Sequence, residues 1–67
     1  MDSKRLIRRP EVEQLTGLAR STIYFRIKSG SFPKPIHLGG RLVAWLESDI
    51  QKWIDDRISE AEKKQTA

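Results

Sequence analysis

The residues best suited to chemistry fall in one short stretch, RSTIYFRIKS at 20–29. Arg20, Arg26 and Lys28 can hold phosphates, and an arginine fork can also grip the edge of a guanine. Ser21 and Thr22 are short hydroxyl side chains that allow a phosphate or a base edge to approach closely. Phe25 offers a ring to a thymine methyl or to a protein partner. Each has a plainer alternative: helix solubility for the cations, capping for Ser21, and a tolerated surface ring for Phe25. Spacing gathers them. Ile23 and Ile27 stand four apart and share an inward helix face, which turns Ser21, Thr22, Phe25, Lys28 and Ser29 outward.

The elements that must position this face lie on either side of it. Pro10 suits the first turn of a helix, where a missing N–H costs nothing. Val12 and Leu15, three apart, define its inner face. Gly17 can take the left-handed conformation that ends a helix, and Leu18 can plug the corner. The first helix is therefore expected over 10–16 and the second over 20–29, with Gly30 as its stop. A basic second helix after a tight corner is the pattern of a helix-turn-helix whose second helix lies in a DNA major groove.

Residues 31–35, SFPKP, form a stiff connection, because Pro33 and Pro35 fix φ and donate no hydrogen bond. Phe32 is expected to anchor it in the core, and Lys34 to reach a phosphate. Residues 36–45, IHLGGRLVAW, read as a β-hairpin turning at Gly39-Gly40. That register sets Leu38 opposite Arg41, His37 opposite Leu42 and Ile36 opposite Val43. Ile36, Leu38, Val43 and Trp45 then face the core, with His37, Leu42 and Ala44 on the other side. Arg41 follows the turn, at the hairpin tip, as a phosphate contact.

Ser48 is expected to cap the last helix, with Gln51 completing a capping box and Asp49 in its first turn. Ile50, Trp53, Ile54, Ile58 and Ala61 form its apolar stripe. Both tryptophans are core by spacing rather than a stacking platform for single strands. Residues 1–8 form a lead-in, with Leu6 or Ile7 packed under the first helix. Arg5, Arg8 and Arg9 make a basic arm of the kind that can reach a minor groove. The order helix, turn, helix, hairpin, helix is that of a small winged helix-turn-helix, mainly α.

Size and charge narrow the function. The 67 residues are expected to form one domain over 1–67, with a core at about 5–60 and a frayed end at 61–67. There is no cysteine, so disulfides and thiolate metal sites are excluded. His37, the single histidine, lacks a second ligand at metal-binding spacing, and no cofactor or metal is expected. No apolar run approaches the length of a membrane span, and the N-terminus lacks an apolar core of signal-peptide length, so a bacterial cytoplasmic location is expected. No nucleophile–base pair and no glycine-rich phosphate loop is visible, so neither an enzyme nor a small-molecule substrate is expected. Residues 1–41 carry a net charge of +6 and residues 42–67 a net charge of −2. A basic front and an acidic tail suit a polyanion bound at one side.

The segments TGLARSTIY at 16–24, GSFPKP at 30–35, LGGRLVAW at 38–45 and ESDI at 47–50 followed by Trp53 resemble, in that order and spacing, the AlpA family of phage and prophage regulators. The similarity covers roughly residues 5–58. It implies a fold related to the DNA-binding domains of the MerR group and of phage excisionases. It also implies a DNA-binding transcriptional regulator, often acting on a phage integrase gene or on excision. Two positions depart from the family pattern. Ala19 stands where serine is usual, so the second helix is capped through Ser21 or is looser at its start. Phe25 stands where a basic residue is common.

The expected partner is double-stranded DNA, with a second copy on adjacent sites. The residues assigned to it are Arg20, Ser21, Thr22, Phe25, Arg26, Lys28, Lys34, Arg41 and Arg9. An excisionase-type architectural protein that bends DNA is the alternative within this class. A protein-interaction module is the alternative outside it, to which Phe25 and the acidic last helix lend support.

Overall fold

A computed structural model describes residues 4–65. The first helix, α1, spans Arg9–Thr16, with Pro10 in its first turn. It stops at Gly17, whose φ of 75° is the left-handed cap and whose N–H reaches the Glu13 carbonyl. Thr16 braces the corner: its hydroxyl donates to the Val12 carbonyl (2.8 Å) and accepts the Leu18 N–H (3.2 Å). The second helix, α2, spans Arg20–Ser29. Ala19 holds its N-cap position in extended backbone without a side-chain hydrogen bond, so Ser21 does not replace the missing cap. At the other end Gly30 is left-handed, and Ser31 N–H bonds back to the Arg26 carbonyl, closing the last turn.

The sheet has one strand more than expected. Leu6–Ile7 (β1) pairs antiparallel with Leu42–Leu46 (β3), whose other edge holds Ile36–Gly39 (β2), in the order β1-β3-β2. Ile7 is buried and Leu6 exposed. The part of the lead-in at 1–3 lies outside the described residues.

The hairpin register also differs. Ile36 faces Ala44, His37 faces Val43, and Gly39 faces Leu42. The turn falls on Gly40-Arg41, and an extra residue is accommodated between His37 and Gly39 as a bulge. One residue of shift exchanges the faces of β2. Ile36 and Leu38, assigned to the core, are exposed. Val43 and Trp45 keep their inward places, while Ala44, expected outside, is buried in the middle strand.

The last helix, α3, spans Glu47–Gln65 and starts directly off β3. Ser48 therefore lies inside the first turn and is not the cap. The main chain supplies that role from afar: Glu47 N–H donates to the Arg5 carbonyl at 2.8 Å. The core joins Ile7, Val12, Ile23, Phe32, Trp45 and Ile50, with Leu18, Ile27, Val43, Trp53 and Ile54 packed around it. Leu15, expected beside Val12, stays exposed. The α3 stripe ends at Ile54, because the helix runs on past the body and leaves Ile58 52% exposed. Residues 61–65, expected to fray, continue the helix, and 66–67 lie outside the described residues.

The connection between α2 and the wing is held by two indoles. Trp45 Nε1 donates to the Pro33 carbonyl at 3.0 Å and Trp53 Nε1 to the Ser31 carbonyl at 2.8 Å. Phe32 sits between these bonds, its ring edge-on to Trp53 at 4.9 Å.

Candidate nucleic-acid interface

Ile23 is fully buried and Ile27 half-buried, so α2 is seated by the two isoleucines that its sequence spaces four apart. The opposite side is open. Arg20, Ser21 and Lys28 are exposed, Thr22 is half-buried, and Phe25 is 71% exposed. Phe25 is the most exposed large apolar side chain among the described residues. Tyr24, next to Ile23 on α2, is exposed and carries the Arg20 guanidinium over its ring at 5.9 Å.

The six cations among the nine residues assigned to the interface divide into two groups. Arg20, Lys28, Lys34 and Arg41 are exposed and form no ion pair among the described residues. Arg41 lies in the hairpin turn and Lys34 between its two prolines. Arg9 and Arg26 are engaged within the protein. Arg9 donates to Glu13 at 3.0 Å, and its charged form is favoured first by a hydrogen bond with the Tyr24 hydroxyl and then by Glu13, which raises its pKa. Arg26 leaves the exposed face of α2 and lies against the Trp53 ring, 5.8 Å from its centroid. Its Nε is buried without a hydrogen-bond partner among the described residues.

Arg57, a residue the sequence did not single out, packs against the same indole at 5.5 Å and donates to Glu60 at 2.8 Å. Its Nε is also buried and has no hydrogen-bond partner among the described residues. The ring offers both guanidiniums a flat apolar bed, which a linear pattern does not reveal.

The basic arm is not an arm. Arg5 is held by Glu11 (3.0 Å) and Glu47, and the charges of Glu11 first and Glu47 next raise its pKa. With β1 in the sheet and Arg9 in α1, this segment is part of the body.

One charge feature was missed that a scan along the chain for sign would have found. Residues 14–46 contain no aspartate and no glutamate, so the end of α1, all of α2, the connection and the hairpin bear only positive charge. The carboxylates of the described residues sit on α1 and α3. Among the described residues no cluster of histidine or acidic side chains could hold a metal ion, and no helix is long and apolar enough to cross a membrane.

Three comparisons place this arrangement among known proteins. The chain is 50% identical over 56 residues to an uncharacterized protein, ORF88, of Enterobacteria phage P4, with 84% of this chain and 64% of that one aligned. It spans just under two thirds of that relative's length. It is 41% identical over 59 residues to the DNA-binding transcriptional activator AlpA of Escherichia coli K12, with 79% of this chain and 84% of that one aligned. The family model for the prophage CP4-57 regulatory protein (AlpA) matches residues 5–58, the span from the Arg5 clip to the exposed Ile58. A winged helix-turn-helix with this ordered set of motifs, matched over most of its length, belongs to the AlpA family of prophage regulatory proteins.

Proposed function

We propose that the chain is a sequence-specific binder of double-stranded DNA that regulates transcription. In this reading α2 lies in the major groove. Arg20, Ser21, Thr22, Phe25 and Lys28 meet base edges and flanking phosphates, and the wing formed by β2 and β3 brings Arg41 to the backbone. Lys34 adds a phosphate contact from the connection. The observation that carries the reading is the unobstructed outer side of α2 within a stretch free of carboxylates. The similarity to the E. coli DNA-binding transcriptional activator supports it.

Arg9 and Arg26 act here within the domain, Arg9 toward Glu13 and Tyr24 and Arg26 against Trp53. One domain of this size reads a short site, so adjacent copies on neighbouring sites supply the remaining specificity. The setting is the bacterial cytoplasm, at the nucleoid when bound.

Selection of bound duplexes from a random pool tests this directly. A recovered motif, with affinity lost on Lys28→Ala and Arg20→Ala, is the expected result. Recovery of no motif and no retained duplex at low salt refutes it.

A further inference from the structure

The wing carries side chains that contact with phosphates does not explain. Leu38 and Leu42 stand at the two shoulders of the turn and are 47% and 49% exposed. Between them lie Gly39, Gly40 and Arg41. Phosphates offer an apolar side chain nothing, so a wing that only lay along the backbone would gain from polar residues at these shoulders instead. Sugars, base edges and unstacked base faces do reward such contact.

The tip itself is thin. Gly39 and Gly40 adopt φ of 133° and 54°, and a Cβ added at either would meet nothing within 4 Å. Glycine is there for the backbone conformation, and the outcome is a blade of bare main chain. A minor groove is only about 6 Å wide, which suits a tip without side chains at two successive positions.

Charge decides which macromolecule fits. Arg41 is exposed in the turn itself, Lys34 is exposed on the connection that leads into β2, and His37 is on the same strand as Leu38, all within the carboxylate-free stretch 14–46. Two copies meeting wing to wing would set cation against cation with no acid to compensate. A polyanion with an apolar floor fits both the charge and the leucines.

We propose that the tip of the wing enters the minor groove of duplex DNA, with Leu38 and Leu42 as an apolar wedge against a base step and Arg41 beside them in the groove. The proposal rests on the DNA-binding reading above and changes the part assigned to the wing. The hairpin reads the groove's width and the ease of unstacking at one step, so it selects flexible pyrimidine–purine steps and kinks the duplex there.

The test uses a duplex recovered by selection, labelled at both ends for energy transfer, with a fluorescent adenine analogue placed at successive steps. The unaltered protein should shorten the end-to-end distance, brighten the analogue at one step, and be displaced by a minor-groove-binding drug such as distamycin. The double variant Leu38→Ser/Leu42→Ser should lose the bend and the brightening, and bind about tenfold or more weakly. Its salt dependence should stay as it was, because no charge is removed.

A straight duplex with no brightened step under the unaltered protein overturns the wedge. So does a folded variant that binds and bends like its parent, or one that keeps its DNA binding and loses association with a second copy instead. The first of these results needs no variant, so a failure of the double variant to fold leaves the proposal decidable. Failure of the unaltered protein to bind any duplex is a different result, and it removes the DNA-binding reading itself.

Discussion

The division of the cations into free and engaged groups predicts the salt dependence of DNA binding residue by residue. Four of the assigned cations, Arg20, Lys28, Lys34 and Arg41, are exposed without an acidic partner among the described residues. Arg5, Arg9 and Arg57 are each held by glutamate, and Arg26 lies against Trp53. Each phosphate neutralised contributes about −0.9 to the slope of log affinity against log salt, so four free cations give a slope of about −3.6. Between about 50 and about 200 mM salt the affinity should then fall about 150-fold. Lys28→Ala and Arg41→Ala should each flatten the slope by about 0.9. Arg5→Ala and Arg57→Ala should leave the slope in place, because those charges already have partners. Anisotropy of a labelled duplex across a salt series measures all five proteins. A slope that ignores Lys28 and Arg41 but responds to Arg5 or Arg57 would refute the assignment of the interface, and a flat line would refute electrostatic binding altogether.

Other consequences concern stability. Ala19→Ser should raise Tm by about 4–8 °C, since a side-chain cap at an extended N-cap position is worth about 1 kcal/mol and the backbone there already has the right geometry. Gly30→Ala should lower Tm by a similar amount: its φ of 83° strains any L side chain by about 1–2 kcal/mol, although the added methyl meets no atom. Trp45→Ala should leave the chain largely unfolded by circular dichroism. A fully buried indole is worth about 3–5 kcal/mol, and a domain this small has little more than that to lose. The Arg5 and Arg9 pKa values are both raised, so the stability these charges add is complete below the ordinary arginine range and is lost only as pH rises through the raised values. Thermal melts across neutral pH should show no step from either group.

Much of this architecture was legible from punctuation. Pro10, Gly17 and Gly30 bracket the two helices because each solves a backbone problem at its own position, without help from distant residues. What escaped depends on partners far along the chain. A two-residue strand has no periodicity, so β1 exists only because β3 offers it an edge. The hairpin register was ambiguous because Gly39, Gly40 and Arg41 can be divided between turn and strand in more than one way, and the bulge chose. Ser48 looked like a cap until the Arg5 carbonyl filled that role one residue earlier.

The same limit applies to the interface. The outward residues of α2 could be read from the isoleucine spacing. Which arginines remain free could not, because Trp53, Glu11 and Glu47 claim theirs through the tertiary fold.

The placement of the two indoles has a practical outcome. Both tryptophans of the chain donate their N–H to carbonyls of the short link between α2 and the wing. The intrinsic ultraviolet emission of this protein is therefore a gauge of that one link. A change in the angle between α2 and the hairpin should disturb a hydrogen bond to one of these two strong emitters. The domain comes with its own optical strain sensor, and seating on DNA can be followed in real time without attaching a dye.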